Sequence, residues 1–327
     1  MFGRAAVMKI ARLLPALAMV LGLAAHDAHA EWKPDRPVRI LVPFAPGGAS
    51  DTMVRLVAAE ASKIAGQQIV VENKPGASGK ILYEYLKAQP GDGYTLGYMS
   101  TTGAVLSATS AKLDFDVVKD FVPITVLAEF TSVMAASTAV PAKDFRELIA
   151  WAKANPGKIS YASYGPKGQG HLTMEQVRFA AGIDVVHIPF RGEAPTLQAL
   201  LRNDVQIGPV ILSTRQYVDA GQLKILAAFG ATRSAEYPDV PTLQEQGVPV
   251  VSKTWMGMAG PPGLPKEIAA FWTRTLVAAV QEPIVVQRLR ELGLSARGTG
   301  PEEVTKELQA DIDLYRKVVT EARIELD

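Results

Sequence analysis

The chain contains no cysteine, so disulfide bonds and thiolate chemistry are both excluded. Histidine is also scarce, with four in the sequence, and two of them, His26 and His29, precede residue 31. That leaves His171 and His187, too few for a metal centre built on several histidines. We therefore expect no metal and no cofactor, and a fold stabilised by its packed core alone.

The chain has no excess of charge of either sign: 34 Lys and Arg stand against 33 Asp and Glu. Residues 1–30 carry three cations and one acid, so the other 297 residues hold 31 cations and 32 acids, a net charge of −1. Such a chain has no basic surface for nucleic acid or an anionic membrane. Nearly half of its residues are apolar (48%), and its length suits two domains rather than a disordered chain.

The first 30 residues have the pattern of a secretory signal peptide. Cations at positions 4, 9 and 12 precede an apolar run at 13–25, which is too short to cross a bilayer as a helix. Ala28-His29-Ala30 fits the small-x-small cleavage pattern, so the exported, soluble chain should begin near Glu31 in the periplasm. An N-terminal membrane anchor or a buried helix is the alternative. A lipoprotein anchor is excluded because no cysteine follows the apolar run.

Beyond residue 30, short apolar runs alternate with stretches of helical periodicity, which predicts mostly parallel α/β sheets. Two long extended segments, 124–136 and 250–258, have the character of crossings between lobes. They divide the chain into a discontinuous lobe (31–131 plus 253–327) and an inserted lobe (132–252). Strands are predicted at 38–42, 68–71, 94–99, 159–163, 185–188, 205–210 and 225–228, and helices at 51–64, 79–88, 144–155, 171–181, 194–202, 213–220, 266–281, 283–292 and 301–325.

The loop after the first predicted strand combines two glycines with an aromatic residue and leads directly into a helix. Gly47 and Gly48 allow backbone N–H groups to approach a ligand, and a helix N-terminus favours an anion. The alternative is a turn capped by Ser50 or Asp51. The ligand-binding candidates in this loop are Phe44, Ala45, Gly47, Gly48, Ser50 and Asp51.

Other loops follow predicted strands and should open onto the same cleft, because ligands bind at the carboxyl ends of parallel strands. The loop 164–171 is glycine-rich and contains Lys167, and Arg191 follows a later strand. Two cations beside glycine-rich helix starts suit a small carboxylate, although each cation alone also fits a solvated surface position. Hydroxyls after the third strand fit a ligand contact or a helix cap equally well. The further candidates are Thr101, Thr102, Tyr164, Lys167, Gly168, Gln169, His171, Phe190, Arg191 and Ser213.

Signatures of catalysis are missing. After residue 30 the sequence has no G-x-S-x-G elbow, P-loop or G-x-G-x-x-G. His187 falls within a predicted strand, which is typical of a packed core residue. The sequence therefore favours a binding protein over an enzyme.

The loops resemble those of the Bug-type extracytoplasmic solute receptors, the binding proteins of tripartite tricarboxylate transporters. The resemblance covers essentially the whole chain after residue 30, and its order and spacing are specific where each motif alone is weak. It implies a periplasmic binding protein of type II, a Venus flytrap of two α/β lobes joined by two crossover segments, with a carboxylate held by the loops 44–51 and 164–171, partly through ordered waters. The motifs lie at 37–44 with 47–51, 71–79, 92–96, 155–163, 187–192, 221–224, and 238–243 with Glu245 and Gly247.

The chain departs from that family in two places. Lys167 stands where a small residue is usual and Gly168 where a serine is usual, so either a cation binds the carboxylate in place of the serine hydroxyl or the ligand differs. Residues 205–210 lack the usual Asp, which makes the distal, specificity-setting side of the cleft unusual. The ligand therefore cannot be taken over from relatives.

The sequence as a whole predicts a monomeric periplasmic receptor that captures a small organic carboxylate and delivers it to a tripartite tricarboxylate-type membrane transporter. The main alternative is a receptor of the same fold that serves a sensor kinase, and an exported enzyme comes third. The few acids near the candidate loops, Asp51 and Glu193, favour a mono- or dicarboxylate over an amino acid, whose ammonium needs an acceptor. Aromatic acids also fit, given Phe44, Tyr164 and Phe190.

Overall fold

The computed structural model describes residues 32–190, 193–210, 214–234 and 237–325, and only the backbone of Glu193 and Ala194. From Pro34 onward the chain forms one compact unit. The predicted signal peptide, Arg191 and Ser213 lie outside the described residues. Within the described part, no helix combines the length and apolarity needed to cross a membrane.

A first sheet has six strands in the order β11-β4-β10-β3-β1-β2. Every residue of β3 is buried, and β1 is buried except at Arg39. Strands buried on both faces need helices on both sides of the sheet. The strands are β1 (Val38–Val42), β2 (Ile69–Asn73), β3 (Thr95–Ser100), β4 (Val122–Phe130), β10 (Thr254–Gly260) and β11 (Ser295–Ala296).

A second sheet has five strands in the order β7-β6-β8-β5-β9. We call the parts of the chain around the two sheets the first and the second lobe. The strands of the second sheet are β5 (Val133–Ser137), β6 (Ile159–Ser163), β7 (Val185–Pro189), β8 (Ile207–Val210) and β9 (Leu223–Ala228).

Helices cover both sheets. The helix Phe145–Ala154 begins with a capping box: Asp144 accepts the Glu147 N–H at 2.9 Å, and the Glu147 carboxylate accepts the Lys143 N–H at 2.9 Å. The helices are α1 (Ala49–Ala65), α2 (Lys80–Lys87), α3 (Thr101–Thr109), α4 (Phe145–Ala154), α5 (Gln169–Ala181), α6 (Glu193–Leu201), α7 (Arg215–Asp219), α8 (Lys266–Gln281), α9 (Pro283–Glu291) and α10 (Pro301–Glu321).

Both sheets are mixed, but the prediction of mostly parallel sheets is confirmed in part: among the described strands, four of the six in the first sheet and four of the five in the second run in one direction. In the first sheet β1 runs parallel to β2 and β3, but β10 is antiparallel to β3 and β4. In the second, β6 runs parallel to β7 and β8, but β5 is antiparallel to β8 and β9. The cause is the crossing of the chain between lobes. A strand that enters a sheet from the carboxyl edge of its neighbours must run against them.

The first extended segment predicted as a crossing consists of two strands with a short link between them, and the second leads into β10. β4 and β5 are separated by residues 131–132 alone, and β10 begins at Thr254, opposite Phe130 of β4. Both links therefore join the carboxyl edges of the two sheets. Most other predicted elements are confirmed within a few residues, but β8 begins at Ile207 and α7 is only Arg215–Asp219. Neither α3 nor β11 was among the predicted elements.

Each lobe has its own apolar core. Trp255 and Trp272 are fully buried in the first lobe. In the second lobe, Phe145, Tyr161 and Leu226 belong to one buried cluster, on which Val250 of the returning segment also packs. Each sheet is therefore packed against apolar residues of its own lobe.

Candidate functional site

The loop between β1 and α1 lies at the carboxyl edge of the first sheet. Gly47 takes a φ of 88°, in the left-handed region that glycine tolerates, and Gly48 is the N-cap residue of α1 with φ −76° and ψ 168°. The alternative of a turn capped by Ser50 or Asp51 is confirmed in part: Asp51 accepts the Gly47 N–H of the turn, but the N-cap residue of α1 is a glycine with no side-chain cap within the described residues. N–H groups of its first turn are therefore left for another acceptor.

Asp51 stabilises this loop from inside. Its carboxylate accepts the Gly47 N–H at 2.8 Å, the Arg55 guanidinium at 3.0 Å and the Asn73 amide at 2.8 Å. Burial alone would raise the pKa of Asp51, but these donors outweigh it and lower the pKa to about 2. Its side chain is only 3% exposed, so Asp51 is turned away from the surface of the loop. Sequence reasoning missed Asn73, which also donates to the Phe44 carbonyl at 2.9 Å; its position at the end of β2 was the available signal.

Phe44 and Ser50 flank the same helix start. Phe44 is half-buried and packs edge-on against Tyr98, with ring centroids 5.7 Å apart. Ser50 is also half-buried, and its hydroxyl lies 3.2 Å from the Tyr98 hydroxyl. Ala45 is exposed. These side chains border the loop without filling it.

After β3, a helix cap accounts for part of the hydroxyl cluster. Ser100 is the N-cap residue of α3, and its hydroxyl accepts the Thr102 N–H at 3.1 Å. Thr101 is fully buried and accepts the Trp255 N–H at 3.3 Å, so its side chain serves the interior of the lobe. Thr102 alone of the two predicted threonines is partly exposed.

The loop between β6 and α5 repeats the geometry of the first lobe. Lys167 takes a φ of 58°, and Gly168 is the N-cap residue of α5 with φ −76° and ψ 167°, again without a side-chain cap among the described residues. The Lys167 N–H donates to His171 Nδ1 at 3.0 Å, four residues on, just as Gly47 donates to Asp51. Two helix starts with matched backbones therefore stand at the carboxyl edges of the two sheets.

His171 belongs to a stack of rings beneath this loop. Its imidazole lies 3.9 Å from that of His187 and 13° from parallel, and His187 lies 4.8 Å from the Tyr161 ring. The prediction of a packed core residue at 187 is wrong, because β7 is an edge strand and leaves His187 half-buried. Burial, with the proximity of His171, lowers the pKa of His187 to about 4. Burial also lowers the pKa of His171, against the influence of Glu175.

The first residue of α5 contacts the second crossing. Gln169 Nε2 donates to the Lys253 carbonyl at 2.9 Å, and the Thr254 hydroxyl donates to Gln169 Oε1 at 2.8 Å. Thr173, one turn on, lies 3.0 Å from the Ser252 hydroxyl. The helix start of the second lobe is therefore fixed to the strand that returns to the first.

The remaining predicted residues border the second-lobe loop. Tyr164 is half-buried, as is Phe190, whose N–H donates to the Ser163 carbonyl at 2.9 Å. Gln206 is not on the cleft side: it precedes β8, and its side chain accepts the Ser160 N–H at 2.8 Å, at the opposite edge of the sheet. Pro209, at the carboxyl end of β8, does lie near the loop, where a Cβ on Gly170 would come within 3.3 Å of it.

A surface cavity of about 430 Å³ lies elsewhere, beside β1 and β3. Its two guanidinium groups are already paired, Arg36 with Asp92 at 3.0 Å and Arg39 with Gln89 at 2.9 Å. Across the described residues, no three side chains of a ligating type come together in a way that could hold a metal ion. The glycine-led starts of α1 and α5, which lie at the carboxyl edges of their sheets and each follow a residue at positive φ, are the arrangement that geometry singles out.

Comparison with known proteins agrees with this geometry. The sequence profile described as "Tripartite tricarboxylate transporter family receptor" matches residues 53–323. The chain belongs to this receptor family. A UPF0065 protein from the gbd 5' region of Cupriavidus necator is 38% identical over 78% of this chain and 78% of its own. BugT of Bordetella pertussis is 29% identical over 98% of this chain and 100% of its own.

Solved structures of the same receptors share the fold. An R. palustris protein solved with adipate superposes with a TM-score of 0.79 at 29% identity, covering 90% of this chain and 99% of its own. MatC from Rhodopseudomonas palustris, solved with bound malate, gives 0.77 at 29% identity, over 88% and 99%. The predicted type II periplasmic binding fold and the Bug-type resemblance are thus confirmed, and the family is one of solute receptors rather than enzymes.

Proposed function

We propose that this receptor captures a small organic carboxylate between its two lobes, with α1 and α5 presenting their N-termini to it. The observation that carries the proposal is the matched pair of glycine N-caps, Gly48 and Gly168. Backbone N–H groups and the positive end of the helix dipole both favour an anion at such a position. Because each lobe contributes one such helix N-terminus, a carboxylate bound there contacts both lobes.

The orientation of acidic groups supports a carboxylate rather than an amino acid. Asp51 is the acid of the first-lobe loop, and its oxygens are occupied by three donors inside the lobe. It therefore offers no acceptor to an ammonium group. Lys167 adds a cation to the second-lobe loop. The adipate and malate bound to related receptors belong to the same chemical class.

The site residues of the proposal are those predicted from the sequence, with Asp51 and Thr101 acting from behind the surface rather than on the ligand. Polar contacts come from the first-turn N–H groups of both helices, and the aromatic side chains supply apolar walls. The residues are Phe44, Ala45, Gly47, Gly48, Ser50, Asp51, Thr101, Thr102, Tyr164, Lys167, Gly168, Gln169, His171, Phe190, Arg191 and Ser213.

The setting of the receptor is part of the proposal. We infer that residues 1–30 direct export, that the monomeric receptor works in the periplasm, and that it delivers its ligand to a tripartite tricarboxylate-type transporter. The lobe limits 31–131 plus 253–327 and 132–252 fit the membership of the two sheets. Closure of the lobes would exclude water and strengthen the polar contacts inside.

A thermal-shift screen tests the binding class. Aliphatic mono-, di- and tricarboxylates and aromatic acids should include at least one that raises Tm, because a ligand that binds only the folded state stabilises it. Amino acids and neutral amides of the same carbon skeletons are the matched controls. Stabilisation by the amides as strong as by the acids would refute carboxylate capture.

A genetic test addresses the partner. Deleting the membrane subunits of the transporter should abolish receptor-dependent uptake of the carboxylate found in the screen. Uptake that persists, together with loss of ligand-induced transcription when the receptor is deleted, would assign the protein to a sensor kinase instead.

A further inference from the structure

The hydrogen bond that holds the second-lobe loop depends on the protonation state of one imidazole. The Lys167 N–H donates to His171 Nδ1 at 3.0 Å, so Nδ1 must be unprotonated and the ring proton must sit on Nε2. If His171 were protonated, its Nδ1–H would face the Lys167 N–H, with the two nitrogens 3.0 Å apart. Since two donors cannot form a hydrogen bond, the loop would lose its internal acceptor.

The neighbouring ring makes a charge on His171 still less favourable. The Ser163 hydroxyl donates to the Gly165 carbonyl at 2.9 Å, so its single proton is used there. His187 Nε2, 2.7 Å from that oxygen, must then carry a proton and donate to it. A cationic His171 would face this ring across a centroid distance of 3.9 Å.

Other titratable groups around His171 compensate such a charge only in part. Glu175 favours a charge on His171, but Arg178 opposes it, and Glu175 already accepts the Tyr161 hydroxyl at 2.8 Å and pairs with Arg178 at 2.8 Å. The titratable groups that face His171 among the described residues are Glu175 and Arg178 on α5, Tyr161 on β6, His187 on β7 and Lys167 in the loop.

The loop needs this hydrogen bond because its backbone is strained. Lys167 has a φ of 58°, a left-handed conformation that side chains other than glycine adopt at a cost. Without the acceptor at His171, Lys167 can relax to negative φ, and the chain leading into Gly168 must move. The N–H groups at the start of α5 then lose their arrangement.

We propose that His171 is a positioning residue for the second-lobe loop, and that its protonation releases the loop and weakens carboxylate binding in acid. The inference rests on the proposed function. Burial lowers the pKa of His171 below its ordinary 6.5, which sets the fall in affinity below that pH. The corresponding acceptor of the first lobe, Asp51, keeps its charge down to about pH 2. Between about pH 7.5 and pH 5, acid therefore acts on the loop acceptor of the second lobe and not on that of the first.

The first test uses the ligand-free protein. Nitrogen-15 NMR of the histidine rings, assigned with His171→Asn and His187→Asn, should show His171 as the Nε2–H tautomer at neutral pH. The Lys167 amide should shift and exchange faster with the same midpoint as the His171 ring. A proton on Nδ1 at neutral pH, or a Lys167 amide that ignores the titration, would overturn the proposal.

The second test measures binding of malate and adipate by calorimetry between about pH 7.5 and pH 5. His171→Leu removes the acceptor and should weaken binding at both pH values by about tenfold, roughly 1.4 kcal/mol. His171→Asn supplies a non-titrating acceptor, so it should recover part of that affinity and lose the acid dependence. The ligand's own titration affects both proteins equally. The acid-induced loss of affinity that the wild type shows beyond that of His171→Asn therefore measures the contribution of His171.

The two arms separate failure of this proposal from failure of the proposed function. Failure of every carboxylate in the thermal-shift screen would count against the function, while the NMR titration would still decide the role of His171. Equal acid dependence in wild type and His171→Asn would reject the positioning role, whatever the affinity.

Discussion

Gly48 and Gly168 begin α1 and α5 with the same backbone conformation, φ −76° with ψ 168° and φ −76° with ψ 167°. Each follows a residue at positive φ whose N–H is held by a side chain four residues on. The two lobes thus share one loop geometry built from different residues: Gly47 and Asp51 in the first lobe, Lys167 and His171 in the second. Because the two helix starts are equivalent, a substitution at either one tests its own contribution to carboxylate binding.

Gly48→Val should weaken carboxylate binding by at least about tenfold, roughly 1.4 kcal/mol, because a branched side chain blocks approach to the helix start. The fold should tolerate it, since φ is negative and a Cβ would lie 4.0 Å from the Ala45 carbonyl oxygen. Calorimetry with the carboxylate that raises Tm most in the thermal-shift screen measures this change in affinity. Gly300→Val is the matched control: Gly300 starts α10 with φ −76° and ψ 170°, far from the loops in sequence. Equal affinities for both variants and the wild type would show that the first loop is only a turn.

Gly48→Asp should change stability and affinity in opposite directions. An Asp at the N-cap accepts N–H groups of the first turn, which should raise the free energy of unfolding by roughly a few tenths of a kcal/mol. The same carboxylate takes the place of a ligand carboxylate and repels it, so binding should fall by more than in Gly48→Val. Denaturant unfolding and calorimetry on one preparation give both values. Tighter binding in the variant would contradict an anion site at this helix.

Lys167→Met should weaken binding by about tenfold to a hundredfold if the ammonium contacts the ligand, because charge-assisted hydrogen bonds contribute roughly 1.5–3 kcal/mol. Binding by the variant should also depend less on salt. Lys167→Gly should lose affinity in the same way while gaining stability, since it relieves a φ of 58°. Arg323→Gly, at a φ of 53° after α10, is the control for relief of strain alone. Wild-type affinity in Lys167→Met would leave the backbone N–H groups as the carboxylate donors.

Asp311→Asn should raise the Tm at neutral pH. Burial raises the pKa of Asp311 to about 6, despite the hydrogen bonds from Trp255 and Thr101. Because the folded pKa lies above the ordinary 3.8, the acid favours folding below about pH 4, and that contribution is lost as the pH rises through 6. The Asn side chain stays neutral and can still accept from Trp255, so its advantage should shrink towards pH 4. Asp313→Asn, at an exposed position on the same helix, should leave Tm unchanged; a lower Tm for Asp311→Asn at neutral pH would contradict the argument.

Export should leave a chain that begins at or near Glu31. The apolar run and Ala28-His29-Ala30 predict cleavage there. N-terminal sequencing of the periplasmic fraction checks it, and an intact Met1 in that fraction would refute the prediction.

Periodicity and loop composition were enough to predict the alternation of strands and helices, the two-lobed division and the glycine-led loops. These features depend on residues close together in the chain. The antiparallel direction of β5 and β10 was not predicted, because it follows from where the chain crosses between lobes. The inward orientation of Asp51 depends on Asn73, 22 residues away, and the stacking of His171 on His187 joins a helix to an edge strand. Contacts between residues that are far apart in the chain produce no periodic pattern in the sequence.

The two links between the lobes are each about one residue long and lie side by side. Ser132 and Ser252 both share backbone hydrogen bonds with Phe229 of the second lobe, at 3.1 and 2.8 Å, whereas Phe130 and Thr254 face each other in the first sheet. Between these anchored pairs lie Thr131 and Lys253. Two adjacent pivots favour rotation of the lobes about the line that joins them over shear and twist. We therefore expect movement of the lobes to follow mainly one angular coordinate, which a single interlobe distance would report.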